Sequence, residues 1–275
     1  MFSNEYIYLV AGLHEYTLES DSKSLQLESI LDEIFEEFSK SDAESVRLLY
    51  GYYDCENIAA AYSGRTNYNP LGQLSKESIA EMMRGEEEAL TMLPSKVADV
   101  VAAYISNDSN ALEGGFERAL FAAYFATCGA SKSKFLRSWS EADCNLRNVA
   151  AALTARVANR PIESVVVGES GVVDQLLRSS AVDFGLKGEL SYLDSVISAV
   201  SDEPNMVEKE RKIDLVRWSL AEELAEGEYF SADFVLAYLA KVNIVARWKA
   251  LDPERGREMF EKLMAELSGK ELVNN

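Results

Sequence analysis

Two stretches, NIAAAYSGR (Asn57–Arg65) and NVAAALTAR (Asn148–Arg156), write nearly the same pattern, and each is followed five residues later by a proline, Pro70 and Pro161. Wound as helices, they place Asp54, Asn57, Ala61 and Arg65 on one stripe and Asn145, Asn148, Ala152 and Arg156 on another, because residues three and four apart share a helix face. A shorter third copy, NIVARW, sets Asn243 and Arg247 one turn apart; its alanine run is broken by Val245 and its proline falls at Pro253. The copies recur at intervals of roughly 90 residues, beyond the 20–50 residues of solenoid repeats. This spacing predicts an all-α chain of three related helical-bundle modules, residues 1–85, 86–165 and 166–275. The alanines allow a neighbouring helix to approach closely, while asparagine and arginine carry donors that must be satisfied once covered. Two roles stay open for the polar stripe: ties inside each module, or contact with a partner.

The remaining chain supports the helical reading. Leu27, Ile30, Leu31, Ile34, Phe35 and Phe38 recur at three and four, opposite an acidic face. Ser41-Asp42-Ala43-Glu44 has the form of a capping box opening a helix that runs to Arg65. Further helices are expected over Lys76–Arg84, Val97–Ile105, Phe116–Cys128, Lys132–Asn159, Asp174–Ser179, Glu208–Glu226, Ala232–Leu251 and Glu254–Leu267, the last introduced by Asp252-Pro253. Tyr6–Val10 is ambiguous between strand and helix, and SVVVGESGVV between a short strand and a loop. Strand content is therefore minor at most.

The chain has 275 residues, 48% of them hydrophobic, with 46 acidic against 27 basic side chains and a net charge of −19. Such a field repels phosphate backbones and anionic headgroups, which disfavours nucleic acid and favours a basic protein partner. No apolar run approaches the roughly 20 residues of a spanning helix, and MFSNEYIYLVAGLHEY lacks the basic lead of a secretory signal. Cys55, Cys128 and Cys144 show no CxxC spacing and read as reduced core thiols of a cytosolic protein.

Catalytic patterns are missing. His14 is the single histidine and reads as a loop residue, so histidine triads and HExxH zinc sites lack material. Gly168-Glu169-Ser170-Gly171 fails the GxSxG turn at Val172, and neither GxxxxGK[ST] nor GxGxxG occurs. The run Glu86-Glu87-Glu88 reads as solvated surface, and the aromatic stripes as core. No catalytic, cofactor-binding or metal residue is assigned; an enzyme built on buried carboxylates would need a pocket holding two or more with perturbed pKa values.

FLRSW followed by NLRNVAAALTAR, with YYDCENIAAAYSGR before it, resembles the C (or d) subunit of V-type and archaeal-type rotary ATPases. More specifically, YIYLVAGL, DCENI and VLAYLAKVNIVARWKALDPERGREMF resemble a bacterial uncharacterised family encoded alongside V-type ATPase genes, over nearly the whole chain. The resemblance implies a pseudo-threefold funnel of three modules and a non-catalytic role in ion transport. It would seat the central stalk on one side and dock on the membrane proteolipid ring on the other, cytoplasmic and peripheral to the inner membrane through the complex. Asp54, Asn57, Arg65, Asn145, Asn148, Arg156, Asn243 and Arg247 then become structural or interface positions. The alternative is a free-standing cytosolic helical scaffold binding another protein.

Overall fold

The computed structural model describes residues 6–18, 24–66, 68–108, 112, 114–201 and 205–250, and in them all regular structure is helical. In chain order the elements are α1 (Ile7–Gly12), α2 (Leu27–Glu37), α3 (Lys40–Tyr62), α4 (Lys76–Arg84), α5 (Glu87–Leu90), α6 (Ser95–Ile105), α7 (Phe116–Cys128) and α8 (Lys134–Val157). A 3-10 turn at Ile162–Ser164 follows, then α9 (Gly171–Arg178), α10 (Leu193–Ser201), α11 (Met206–Leu224) and α12 (Ala232–Ala250). The all-α expectation holds. The expected helix Glu254–Leu267 and its Asp252-Pro253 start lie outside the described residues. No described helix is long and apolar enough to cross a membrane.

Local chemistry accounts for most of these limits. Ser75 caps α4 by accepting from the Ser78 amide at 3.0 Å, and Gly85 closes it in the left-handed conformation that glycine adopts without strain. The start of α3 departs from expectation. Its cap is Ser39, whose hydroxyl oxygen accepts from the Asp42 amide at 3.2 Å, not Ser41. Asp42 in turn accepts from the hydroxyls of Ser39 at 2.7 Å and Tyr6 at 2.6 Å, so the earlier start joins the N-terminal segment to the helix entry. Ile7–Val10 belongs to helix α1 rather than a strand, with Tyr6 as its N-cap; the Tyr6 amide donates to the Phe230 carbonyl at 3.1 Å and so ties this end to the α11–α12 connection. SVVVGESGVV contains no strand: it passes from the 3-10 turn through an irregular segment into α9, capped by Ser170. Helix α10, rich in serine and valine, was not evident from propensity; packing against α8 and α11 makes it.

The buried apolar side chains form two clusters. One gathers α1, α2, α3, α4, α6, α7 and α12 around residues such as Val46, Ile58, Leu120 and Leu239. The other gathers α9, α10 and α11 with Phe184 and Leu186 around Leu146, Val149 and Leu153 of α8. Helix α8 belongs to both: Phe135 and Leu136 enter the first cluster, the residues from Leu146 onward enter the second, and Trp139 packs against each. Because Leu146 is 0% exposed, Leu146→Ala is expected to destabilise the protein by about 3 kcal/mol. Urea denaturation followed by circular dichroism measures this, and a loss below about 1 kcal/mol would mean the second cluster is loosely packed.

Candidate functional site

The repeated asparagines perform one task twice. On α3, Asn57 accepts from the Asn69 amide at 2.6 Å and donates to the Asn69 carbonyl at 3.0 Å. On α8, Asn148 accepts from the Val167 amide at 2.8 Å and donates to the Val167 carbonyl at 2.9 Å. Each side-chain amide thus pairs with both polar groups of one residue in the loop that follows its helix. The loop is held in reverse along the helix without a strand. Asp54 extends the first bracket by accepting from the amides of Gln73 at 2.7 Å and Leu74 at 2.9 Å. Burial raises the Asp54 pKa, and the two backbone donors oppose that rise. Gly72 permits this approach, since a Cβ there would collide with the Asn57 amide and lie 3.0 Å from Asp54 Oδ1.

The helix ends also match, one turn out of step. The Arg65 amide donates to the Ala60 carbonyl and Gly64 to Ala61; equivalently, Arg160 donates to Ala155 and Asn159 to Arg156. These are paired Schellman closures around left-handed Gly64 and Asn159. Because α3 stops at Tyr62, Arg65 lies beyond the helix and is exposed, so it leaves the stripe that the sequence spacing suggested. Helix α8 runs a turn further, which keeps Arg156 helical. Its guanidinium donates to the Ala181 carbonyl at 2.6 Å and to the Ser179 carbonyl, and lies 3.7 Å from the Phe184 ring centroid. Burial lowers the Arg156 pKa. In the third copy Asn243 is buried beside Tyr50, whose phenol burial pushes well above its ordinary range.

Arg247 leads to a cluster absent from the repeat. Asp214 Oδ2 accepts from Arg247 Nη1 at 2.6 Å and from the Trp248 indole at 3.0 Å, while Glu210 accepts from Arg247 Nη2. Asp214 Oδ1 accepts from Arg217 Nη1 at 3.0 Å. Arg217 Nε then reaches Asp143 Oδ1 at 2.7 Å, and Asp143 Oδ2 accepts from Arg147 Nε at 2.7 Å. The Arg147 guanidinium ends the series 4.0 Å from the Tyr52 ring centroid. Three carboxylates and three guanidiniums alternate across α8, α11 and α12. Burial alone would disfavour the Asp143 anion, but Arg147 and Arg217 outweigh it and hold the carboxyl well below the usual range. Asp143, Arg147, Glu210, Asp214 and Arg217 were not singled out from sequence. The only local signals were the pairs Asp143/Arg147 and Asp214/Arg217, at ordinary helical spacings.

This network lies along a cleft of about 720 Å³ between α3, α7, α8, α11 and α12. Asn148, Asn243 and Arg247 line it together with Tyr52, Tyr53 and Glu56 of α3; Asp54, Asn57, Arg65, Asn145 and Arg156 lie outside its lining. Tyr52 and Tyr53 are held protonated by burial. The cysteines are free thiols, and burial pushes Cys128 and Cys144 up to about 12, away from the thiolate form a nucleophile needs. Among the described residues no group of three or more His, Cys, Asp or Glu is arranged to hold a metal ion. Of the carboxylates facing the cleft, Asp143, Glu210 and Asp214 are committed to guanidiniums that fasten α8, α11 and α12, while Glu56 accepts from the Asn69 side-chain amide at 2.7 Å.

The family described as "Protein of unknown function (DUF2764)" matches residues 3–270. A relative named "Uncharacterized protein" from Chlamydia muridarum (strain MoPn / Nigg) is 22% identical over 267 residues, covering 94% of this chain and 96% of the relative. Another, from Chlamydia pneumoniae, is 22% identical over 237 residues, 84% of this chain and 87% of the relative. No solved structure matches the chain.

Two measurements test the site. Asn57→Ala and Asn148→Ala each remove both hydrogen bonds of a bracket and are expected to cost about 1–3 kcal/mol in urea denaturation. Unchanged stability with lost partner binding would show instead that the asparagines serve an interface. Since the folded Asp143 pKa is depressed, its contribution is full above the unfolded value of about 4 and disappears as pH falls below it. The stability difference between the wild type and Asp143→Asn should therefore shrink by about 2 kcal/mol between neutral pH and pH near 2. A difference independent of pH would sink this assignment.

Proposed function

The chain belongs to the DUF2764 family, and we propose that it is a non-catalytic subunit of a V-type rotary ATPase, coupling the central stalk to the membrane proteolipid ring. The observation that carries this reading is the meeting of the three helices that bear the repeated sentence, α3, α8 and α12, around one cleft. A concave face built from repeated elements is a seat for an elongated partner, whereas a ribbon of equivalent helices would suit an extended scaffold. The asparagine brackets and matched helix ends of α3 and α8 support the same reading, since they give the repeated motif a repeated structural task. So does the ion-pair series that fastens α8, α11 and α12 along the cleft, which favours a mechanical part.

In this role the protein carries force between partners without binding nucleotide or ion itself, and sits at the cytoplasmic face of the inner membrane through the complex. The −19 net charge suits basic stalk surfaces and opposes direct contact with anionic lipid. The competing reading is a helical scaffold for some other soluble protein.

The test is affinity purification of the tagged full chain from gently solubilised native membranes, with the recovered proteins identified by mass spectrometry. Catalytic, stalk and proteolipid subunits are expected in fixed ratio. Their recovery should fall steeply as ionic strength rises above about 0.15 M, because exposed charges are screened over a Debye length of about 8 Å there. Recovery of soluble proteins alone, with no rotary-ATPase component, would put the scaffold reading first.

A further inference from the structure

A second concavity lies away from the charged cleft. It is a groove of about 630 Å³ between α1, the C-terminal end of α11 and the first half of α12. Val10, Leu13, Ala225, Phe234, Ala237 and Tyr238 form an apolar surface within it, and Tyr229 stands at its margin 61% exposed. Its charged groups are Glu15, Glu222, Glu223, Glu226 and one lysine, Lys241. Lys241 is already engaged: it bonds Glu222 at 3.1 Å and lies 5.1 Å from the Trp218 ring centroid. Glu15, Glu223 and Glu226 remain as an acidic rim, and among the described residues lining the groove there is no second cation to balance them.

The position of these acids is electrostatically unfavourable within the chain itself. The last turn of α11 carries no basic residue, and Glu222, Glu223 and Glu226 crowd the end of the helix where its own carbonyls already concentrate negative charge. A helix end ordinarily attracts lysine or arginine. Among the described residues, Lys241 offsets Glu222, and no second cation lines the groove beside Glu223 and Glu226. The apolar and aromatic surface beside the rim, with Tyr229 exposed at its margin, suits an aliphatic stem followed by a cationic head, the shape of a lysine or arginine side chain.

We propose that this groove docks a basic amphipathic helix of a partner protein, its apolar side chains on Val10, Leu13, Phe234 and Tyr238 and its lysines or arginines on Glu15, Glu223 and Glu226. The assignment goes beyond the rotary-ATPase reading, because it rests on shape and charge complementarity and not on which complex supplies the helix. It also differs from the charged cleft in kind: there Asp143, Glu210 and Asp214 each have a guanidinium, whereas here the rim is left to a partner.

The test places a photo-crosslinking phenylalanine analogue at Tyr229 in the full-length chain in its native cells, with the crosslinked peptide mapped by mass spectrometry. The expected product joins Tyr229's position to a lysine- or arginine-rich amphipathic segment of another protein. The paired variant Glu223→Gln/Glu226→Gln should lower recovery of that partner by about tenfold and flatten its salt dependence, while Glu87→Gln/Glu88→Gln, an exposed acidic pair elsewhere, leaves both unchanged. Crosslinks confined to this chain, to a small cationic molecule or to a segment without basic residues would overturn the proposal. If the mapped helix belongs to a protein outside any rotary ATPase, the groove assignment stands and the coupling-subunit reading falls.

Discussion

The alternating series Arg147, Asp143, Arg217, Asp214, Arg247 and Glu210 is the constraint on which the arrangement of α8, α11 and α12 depends. Apolar contact between helices is tolerant of sliding; this series is not. A shift of one turn, about 5.4 Å, would break the Asp143–Arg217 pair between α8 and α11 or carry Arg247 of α12 away from Asp214, which is 1% exposed and would keep only Arg217 of its own helix. Removing one member of a buried ion pair costs about 3–5 kcal/mol, whereas replacing the whole set by well-packed apolar residues is often neutral. The contribution of the series is therefore better described as choice of register than as net stability. Once α11 and α12 are locked to α8, the cleft acquires its shape and the Asn243 position is brought to face α3.

How legible this was depended on how local each determinant is. Helices α4 and α7 have the limits expected from sequence because their stop signals, Ser75 and Gly85 for one and Gly115 and Gly129 for the other, sit in the adjacent residues. The Asn57 and Asn148 stations were legible as a repeated stripe. Their bonding was not, because the residues they hold, Asn69 and Val167, lie in loops with no shared sequence. Arg65 was misplaced because Gly64 turns left-handed one residue before it and ends the helix. The charged series was hidden by distance: Asp143 and Arg217 are 74 residues apart, and Asp214 and Arg247 are 33 apart. Nothing in either local pattern distinguishes them from solvated helix pairs.

Charge is partitioned between the interior and the surface. Inside, three carboxylates and three guanidiniums match one for one across α8, α11 and α12, so the large negative excess resides outside that network. At the α11 terminus the excess meets an apolar groove, and the same type of residue that fastens helices within the molecule becomes available for association. A protein organised this way keeps its internal geometry largely indifferent to ionic strength while its associations respond to it, since buried pairs are screened far less than exposed ones.

Helix α8 belongs to both hydrophobic clusters, and this limits how the chain can be divided. At 24 residues it spans about 36 Å, with Phe135 and Leu136 filling one cluster near its start and Leu146, Val149 and Leu153 filling the other towards its end. A fragment cut ahead of it would open the first cluster, and one cut behind it would deprive α9, α10 and α11 of their floor. Even if the repeated motif marks successive copies of an ancestral segment, those copies no longer possess separate interiors. The chain would be expected to melt as one cooperative unit rather than as a string of beads.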